Sequence, residues 1–539
     1  MRIHILLLIL VGFIPLLDLF QPGLPITHDG QDHVARIANF YANLEEGNII
    51  PRWAGNLNWG FGHPILMFLY PLPSYFASFF HFLGFSLVDS LKAVFGVSFI
   101  LSGIFMYMWL REFLPEWGGF AGGVLYMFAP YRFVDLYVRG ALGEHVAFVF
   151  LPFVLYFLLK LSKNKHSPFL IIGGSVSLAF LILSHNAISL MFLPMIFLYS
   201  LFLIFVHKER RPLIYQYTGI LVLGLGLTAF FWMPAFFEGK YTLRDIVTSE
   251  DYRLRFVELK DLAYGTWNYG ISGQFSVQVG ILHWILVFSS IPLLIFRKKN
   301  KFWKFALGLL LIFILSLFLM HSSSKIIWDN ITTLQKFQFP WRFLSITVFA
   351  SSALGALVIS QVNKKYKTLV IIAIVFLALF LNRDFWHAKG FLLKPEAFYK
   401  SIYNSTTDTG ESSPIWSVRF MLERPKARLE TIAGNAKIYE TTRTSTYHEY
   451  RVEVLEKTKF KENTLYFPGW EVFVDGKKIN VEFQDQLHRG LMTFWADPST
   501  QNISVSFTET RLRLFSNLTS LLSALIIGLL ALSKLKIRI

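Results

Sequence analysis

The chain has 539 residues, of which 54% are hydrophobic and only 16% charged, with a mean hydropathy of +0.47. Because a soluble domain has about 25% charged residues, this composition excludes an ordinary soluble enzyme. The net charge is +16 and there is no cysteine, so disulfides, thiolate nucleophiles and cysteine-bound metal clusters are excluded.

Apolar runs of about 17 to 24 residues recur along the chain, and each is long enough to cross a bilayer core about 30 Å thick. Hydropathy predicts about twelve membrane spans. They lie near residues 4–20, 88–110, 118–134, 144–160, 169–184, 187–206, 213–234, 278–296, 303–320, 343–361, 367–383 and 514–533. The first run is expected to remain as a span, because no small-residue cleavage site follows it. The sequence therefore predicts an α-helical polytopic membrane protein.

Residues 64–83 are apolar but rich in proline and aromatic side chains. If they formed a span, the later basic loops would change sides. We therefore expect a re-entrant or interfacial helix on the outer face, where surrounding protein can cover the broken backbone.

Clusters of basic residues predict the orientation. They comprise Lys160, Lys163, Lys165, Lys208, Arg210, Arg211, Arg297, Lys298, Lys299, Lys301, Lys304, Lys364, Lys365, Lys367, Lys534, Lys536 and Arg538. All fall on one side, which the positive-inside rule makes cytoplasmic, together with both termini. With Arg2 and Arg111 they account for the net charge, so no nucleic-acid partner is expected. The predicted location is a bacterial-type plasma membrane.

The long polar segments then lie outside the membrane, in loops 21–63, 235–277 and 321–342 and in residues 384–512. The predicted division is a transmembrane domain over 1–383, an extracytoplasmic β-rich domain over 384–512, and a final span with a basic tail over 513–539.

Residues 384–512 are predicted to form a small β-sandwich. After the Ser/Thr-rich stretch 401–413, polar and apolar residues alternate in 436–442, 447–455, 470–474 and 503–507. The pair Asp475-Gly476, placed between two alternating runs, predicts a hairpin turn.

The first outer loop concentrates ionisable residues just beyond the first span. It contains His28, Asp29, Asp32 and His33, followed by Arg52 and His63. Two carboxylates with nearby imidazoles could supply a general base, a cation site or both. An ordinary solvated loop is the alternative interpretation.

Further ionisable residues border the spans on the same predicted face. They are Arg132, Arg139, Glu144, His185 and Arg342. Such residues usually face a cavity or a partner, and arginine suits a phosphate through its planar fork of donors. Taken singly, each is more often a structural ion pair or an interfacial anchor. Taken together, they predict an outward substrate-binding cavity.

Several short motifs carry a resemblance. The acidic first loop, Pro51-Arg52-Trp53 and residues 60–64 resemble the membrane glycosyltransferases of the GT-C superfamily. His28-Asp29-Gly30, residues 337–342 and residues 466–476 are similar to YfhO-like proteins and to membrane proteins related to 6-pyruvoyl-tetrahydropterin synthase.

The resemblance implies transfer of a sugar from a polyprenyl-phosphate carrier to an outer cell-envelope acceptor. It implies Asp29 as catalytic carboxylate, with Asp32 as second candidate. The resemblance leaves a divalent cation open as a cofactor and defines no other. The chain lacks the adjacent Asp-Asp or Asp-Glu pair of acidic residues that would bind such a cation. The implied partners are the polyprenyl-phosphate-linked sugar and membrane lipid; the sequence does not define an oligomeric state. Pterin chemistry finds no support, because no His-X-His pair or catalytic cysteine is present.

Two other functions remain open. A transporter or lipid flippase could use the same polar residues as a path, although carriers usually bind near the midplane, where this chain has few charges. A non-catalytic envelope-assembly scaffold could use the β-rich segment to hold partners.

Overall fold

A computed structural model describes residues 1–163, 167–270, 274–296 and 302–535, without the side chains of 533–535. Some of the basic residues used to predict orientation lie outside the described residues. They are Lys165, Arg297, Lys298, Lys299, Lys301, Lys536 and Arg538, together with the side chain of Lys534.

Helices make up most of the structure. They are α1 (Arg2–Phe13), α2 (Gly30–Glu45), α3 (Ile65–Phe68), α4 (Leu72–Phe82), α5 (Leu87–Leu110), α6 (Glu116–Met127), α7 (Pro130–Phe133), α8 (Leu142–Lys163), α9 (Pro168–Ser184), α10 (Asn186–Val206), α11 (Arg210–Leu227), α12 (Ala229–Phe237), α13 (Arg244–Val247), α14 (Leu259–Ala263), α15 (Ile281–Phe296), α16 (Trp303–Met320), α17 (Lys325–Asn330), α18 (Thr332–Gln335), α19 (Leu344–Ser360), α20 (Lys367–Leu381), α21 (Glu396–Lys400) and α22 (Arg511–Leu535). A π-helical turn, Val134–Arg139, follows α7, and a 3₁₀ turn, Pro340–Phe343, precedes α19.

Seven helical segments of the described chain are long and apolar enough to cross a membrane. The bent pair α11 and α12 would make an eighth, and α9 and α15 are shorter apolar helices. The structure therefore supports several spans, while the number twelve stays a prediction.

Two of the predicted spans are interrupted. The run 118–134 ends as a helix at Met127 and restarts at Pro130, because proline disfavours helical geometry in the residue before it. The run 213–234 bends by 70° between α11 and α12. Hydropathy does not detect such breaks, since a window average is hardly changed by one polar residue such as Thr228 at the bend.

The proline-rich segment 64–83 folds as the single turn α3 followed by α4. Eleven residues of α4 reach about 16 Å, roughly half the bilayer core. This length is compatible with the predicted re-entrant or interfacial helix and too short for a span.

The centre of the helical body is formed by α8, which packs against α5 and α9, and by α19, which packs against α6, α15 and α16. Of the most apolar stretch within residues 340–360, 89% is buried inside the protein. Of the most apolar stretch within residues 511–532, only 11% is buried. Since both segments are similarly apolar, α19 is a core helix and α22 presents its side chains outward.

The strands form three antiparallel sheets. They are β1 (Leu24–Pro25), β2 (Phe391–Leu392), β3 (Leu429–Ala433), β4 (Ala436–Arg443), β5 (Tyr447–Val454), β6 (Thr458–Leu465), β7 (Trp470–Val474), β8 (Lys477–Ile479), β9 (Leu491–Ala496) and β10 (Asn502–Phe507). One sheet pairs β1 with β2, a second has the order β4-β5-β10-β7-β8, and the third has the order β3-β6-β9.

The predicted hairpin is confirmed. Asp475 and Gly476 have φ values of 44° and 76°, and they connect β7 to β8 with Val474 opposite Lys477. Both central residues of this turn need positive φ, which Asp-Gly supplies at low cost. The four alternating runs correspond to β4, β5, β7 and β10.

Alternation did not detect β6, because three consecutive polar residues of this strand are buried: Glu462, Asn463 and Thr464. The Glu462 carboxylate accepts hydrogen bonds from Tyr450 Oη at 2.8 Å and from Thr464 Oγ1 at 2.9 Å, and it contacts His448 Nδ1 at 2.9 Å. Since Tyr450 belongs to the other sheet, this polar bridge joins the two larger sheets.

The buried faces of these two sheets share one apolar cluster, and the first outer loop and α3 complete it. Trp53, Phe61, Met67 and Phe68 belong to the same cluster as the strand residues. Trp53 packs edge-on against Trp470 with ring centroids 5.3 Å apart. Independent folding of residues 384–512 therefore stays a prediction, and these four side chains are missing from the isolated segment.

We expect Trp53→Ala to destabilise the β region by about 3–5 kcal/mol, because it leaves a cavity between the loop and the sheets. The matched control is Trp495→Ala, since Trp495 is 49% exposed. Thermal unfolding and limited proteolysis of the purified protein measure both variants. Equal resistance of the two would contradict the shared core.

The orientation stays a prediction that labelling can test in this cysteine-free chain. Leu422 is 86% exposed, and Lys208 is exposed after α10. A membrane-impermeant maleimide should label Leu422→Cys in intact cells and Lys208→Cys only after lysis. The reverse pattern would invert the topology.

Candidate functional site

The first outer loop is docked onto the π-helical turn by its backbone. The amide of His28 donates to the carbonyl of Val138 at 3.0 Å, and that of Asp29 donates to the carbonyl of Arg139 at 2.9 Å. Gly140 follows with φ +67°, where a Cβ would lie 2.4 Å from Thr27 Oγ1. The close approach of the two segments therefore requires glycine at this position.

Asp29 stands at the N-terminus of α2, partly exposed. Its carboxylate makes no hydrogen bond or ion pair with the described part of the chain, and the adjacent His28 Nε2 is buried without a hydrogen-bond partner there. An unengaged carboxylate held by its own backbone is available to accept a proton from a substrate.

One face of α2 carries Asp32, His33 and Arg36. Arg36 Nη1 lies 3.2 Å from His33 Nδ1, while its Nε and Nη2 donate to Thr407 Oγ1 at 3.0 Å and to the Thr407 carbonyl at 2.6 Å. Tyr403 Oη donates to Asp32 Oδ1 at 3.2 Å. The Ser/Thr-rich stretch 401–413 therefore lies directly on the first turns of α2.

These contacts set the charges on this face of α2. Burial raises the pKa of Asp32, and the Arg36 guanidinium opposes that rise. Burial and the charge of Arg36 hold the pKa of His33 well below its usual range. At neutral pH His33 is therefore an uncharged imidazole, and Asp32 is already bonded to Tyr403.

His63 belongs to the same group of contacts. Its Nε2 lies 3.2 Å from Ser413 Oγ, and burial lowers the pKa of the imidazole. Asp408 receives the backbone amides of Gly410 at 2.8 Å and Ser412 at 3.0 Å. Burial alone would raise the pKa of Asp408, but His63 and these hydrogen bonds lower it. Asp408 is therefore a fixed negative charge beside the imidazole.

A buried ion cluster lies beneath the docked loop. Arg139 Nη1 contacts Asp135 Oδ1 at 2.6 Å and Glu144 Oε2 at 2.8 Å, and it donates to Tyr131 Oη at 3.0 Å. Tyr131 Oη in turn donates to Glu144 Oε1 at 2.7 Å. Both carboxylates have no solvent exposure. Arg139 is therefore already neutralised by protein groups.

Arg132 is fully buried and lies over the ring of Phe148, 4.1 Å from its centroid. Its Nη2 donates to Ser102 Oγ at 3.2 Å. This position balances the neighbouring carboxylates and leaves no exposed surface for a substrate.

Arg52 lies at a different place. Its Nε pairs with Glu509 at 2.7 Å, its Nη2 donates to Asn517 at 2.8 Å, and its Nη1 donates to the Phe230 carbonyl at 3.2 Å. All three nitrogens are engaged, so Arg52 ties the first loop to α22 and α12. The described contacts do not connect it with Asp29.

Arg342 is only partly engaged. Its Nη1 donates to the Phe337 carbonyl at 2.8 Å, and its guanidinium lies over Phe339, 4.8 Å from the ring centroid. Its Nε is buried without a hydrogen-bond partner, and its Nη2 donates to no described group. The side chain is partly exposed. Among the arginines predicted to bind substrate, Arg342 combines free donors with access.

Tyr70 connects these groups, although sequence analysis did not select it. Its ring stacks on His185 with centroids 4.8 Å apart. Burial raises the pKa of Tyr70, and the charges that act on its hydroxyl come from Arg36, Asp29, Arg342 and Arg139. The structure therefore stacks His185 on this tyrosine, and the charges of Asp29 and Arg342 act on its hydroxyl.

Other contributors that sequence analysis missed come from the stretch 401–413. Its composition is typical of a linker, and the stretch was expected only to precede the β region. One usable signal was present, since Asp408 and Gly410 form an Asx-type turn in which Gly410 has φ +74°. Contact with α2 across more than 350 residues cannot be seen in a local pattern.

Metal binding stays untested. In the described ranges no group of three or more His, Asp or Glu side chains has the arrangement of a metal site. The predicted divalent cation and the predicted outward cavity both stay predictions.

We expect Glu144→Gln to destabilise the protein by about 3–5 kcal/mol, because it leaves Arg139 buried with one carboxylate fewer. Glu116→Gln is the matched control, since Glu116 is 43% exposed and its ion pairs contribute little. Thermal unfolding of the purified variants is the measurement. An unchanged unfolding temperature for Glu144→Gln would remove the ion cluster from the structural core.

Comparison with known proteins gives a family and several distant likenesses. A curated "Uncharacterized protein" of Lactococcus lactis subsp. cremoris (strain MG1363) is 27% identical over 314 residues, which cover 54% of this chain and 50% of the relative. This chain thus matches about half the length of that relative.

Two solved structures show limited overall similarity. Arabinofuranosyltransferase AftD from Mycobacteria is 14% identical with a TM-score of 0.48, over 72% of this chain and 27% of AftD. ArnT from Cupriavidus metallidurans, bound to undecaprenyl phosphate, is 13% identical with a TM-score of 0.39, over 74% of this chain and 67% of ArnT.

The family model of the 6-pyruvoyl-tetrahydropterin synthase related domain, described as a membrane protein, matches residues 66–387. The matched range includes the ion cluster, Tyr70 and Arg342, and it covers more than half of the chain. The chain therefore belongs to the 6-pyruvoyl-tetrahydropterin synthase related family of membrane proteins.

Proposed function

We propose that the protein is a membrane glycosyltransferase that moves a sugar from a polyprenyl-phosphate carrier to an acceptor of the cell envelope, on the outer side of the plasma membrane. One observation carries this proposal. Asp29 has a free carboxylate and Arg342 has free guanidinium donors, and both act on the same tyrosine, Tyr70. The sequence resemblance to GT-C enzymes adds the reaction class.

The reaction needs a base and an anion-stabilising group. Asp29 accepts the proton of the acceptor hydroxyl while the hydroxyl oxygen bonds to the anomeric carbon of the sugar. The bond between that carbon and the phosphate oxygen breaks, and its electron pair stays on the phosphate. Arg342 offsets the added negative charge through its free donors. No redox partner is required.

The remaining polar residues hold this pair in place. Asp32 is bonded to Tyr403, and Arg36 is bonded to Thr407 and His33, so these groups fix the first turns of α2. Asp32 is therefore the weaker candidate for the base. His63 fixes the stretch 401–413 through Ser413.

We expect Asp29→Asn to lower transfer by about a hundredfold or more while binding of the carrier survives, because the amide keeps the shape and cannot accept the proton. Asp32→Asn is the matched control and should lose less. Turnover is measured with labelled polyprenyl-phosphate sugar in membranes. Full transfer by Asp29→Asn would remove Asp29 from the mechanism.

Variants of Arg342 and Arg52 distinguish a role in carrier binding from a role in stability. Arg342→Ala should weaken both carrier binding and turnover with a smaller fall in unfolding temperature than Arg52→Ala, because only its Nη1 has a protein acceptor while Nε and Nη2 have none among the described residues. Arg52→Ala should instead lower the unfolding temperature, because it breaks the contacts with Glu509 and Asn517. Normal carrier binding by Arg342→Ala would contradict its assignment.

A further inference from the structure

The ring of Tyr70 is held by packing against His185 and Gly143. One face stacks on His185 at an interplanar angle of 25°. At Gly143 an added Cβ would lie 2.1 Å from Tyr70 Cε2 and 2.5 Å from the Ser184 carbonyl, so backbone without a side chain covers that part of the ring. The orientation of the hydroxyl is therefore fixed by packing rather than by a hydrogen bond.

The hydroxyl itself has no hydrogen-bond partner among the described residues, and Tyr70 is partly exposed. Burial raises its pKa, so the phenol keeps its proton at neutral pH. A rigid, protonated hydroxyl without a protein acceptor is a donor prepared for something outside the chain.

His185 adds a second neutral donor. Its Nδ1 accepts the backbone amide of Ile188 at 3.2 Å, so the ring proton resides on Nε2. The Nε2 group makes no hydrogen bond within the described ranges. Tyr70 and His185 thus present one O–H and one N–H donor without a described acceptor, and the charge of Arg342 acts on both side chains.

The chemistry of this group of donors selects an anion. Asp135 and Glu144 are paired with Arg139, so the free carboxylate among the charges that act on Tyr70 is that of Asp29, which the proposed function assigns to the acceptor hydroxyl. The hydroxyl of Tyr70, the Nε2–H of His185 and the positively charged guanidinium of Arg342 are all donors, and donors of this kind match the oxygens of a phosphate group. A free phosphate ion would offer the same oxygens, but it would lack the apolar tail that a membrane site can bind.

We propose that the Tyr70 hydroxyl donates a hydrogen bond to the phosphate of the polyprenyl carrier, that Arg342 supplies positive charge to the same phosphate, and that His185 holds the ring in the orientation this contact needs. The inference rests on the proposed function for the identity of the ligand. It assigns Tyr70 as a substrate-binding residue rather than a structural one.

The test compares Tyr70→Phe with Tyr75→Phe, which removes the same atom from the same segment. Tyr75 Oη donates to the Ile49 carbonyl at 2.6 Å, so its role is structural. The probes are farnesyl phosphate and inorganic phosphate, titrated against the full-length protein in detergent by native mass spectrometry. Thermal unfolding is recorded for both variants.

Tyr70→Phe should weaken binding of farnesyl phosphate about tenfold and leave the unfolding temperature unchanged, as expected for loss of a hydrogen bond to a charged ligand. Tyr75→Phe should bind within about twofold of the unchanged protein and unfold at a lower temperature. Weaker binding of inorganic phosphate by Tyr70→Phe would place the contact on the phosphate.

Four results would overturn the inference. Unchanged farnesyl phosphate binding by Tyr70→Phe would refute it and leave the proposed function intact. Lost binding together with a fall in unfolding temperature as large as that of Tyr75→Phe would show a structural role. If Tyr70→Phe weakened binding of farnesyl phosphate and left binding of inorganic phosphate unchanged, Tyr70 would contact the apolar tail of the ligand and not its phosphate. No binding of farnesyl phosphate by the unchanged protein would refute the proposed function and the inference with it.

Discussion

The contact of Arg139 with Asp135 and Glu144 supports the rest of the site. These charges are buried, so removing one leaves an uncompensated ion, at a cost of several kcal/mol. The cluster therefore fixes the turn that carries it. The carbonyl of Arg139 accepts the amide of Asp29, and Gly143, the neighbour of Glu144, lies against Tyr70. The positions of the proposed base and of the tyrosine both depend on this cluster.

The arginines differ in what they can still bind. A guanidinium whose donors all have protein acceptors gains little from a substrate phosphate, because each new hydrogen bond replaces an existing one. Each guanidinium nitrogen of Arg36 and of Arg52 has a protein partner, so these two arginines are in this situation. Arg139 is paired with two buried carboxylates through Nη1, and Arg132 is fully buried against phenylalanine rings. Arg342 keeps unused donors and partial exposure. The number of arginines near a membrane border therefore overestimates how many of them can bind a phosphate.

The outer face is assembled from segments that are far apart in the chain. Arg36 reaches Thr407 across 371 residues, and Trp53 enters the apolar cluster of the two larger sheets. The entropic cost of closing such long loops grows only slowly with their length, so distant partners are thermodynamically accessible. The β region and the proposed base are therefore coupled through shared packing. The β region packs on the same loop that positions Asp29, and a change in that packing is transmitted to the proposed base.

The sequence by itself determined the membrane character, the helical body, the strands around Asp475-Gly476 and the presence of ionisable residues in the first loop, because these follow from local composition and periodicity. It did not show where helices break, as at Pro130, or that β6 is a strand, because buried polar residues interrupt its pattern. It also could not rank Arg342 above Arg52, or select Tyr70. Only the tertiary structure decided these points, because whether a donor is free or satisfied depends on partners hundreds of residues away.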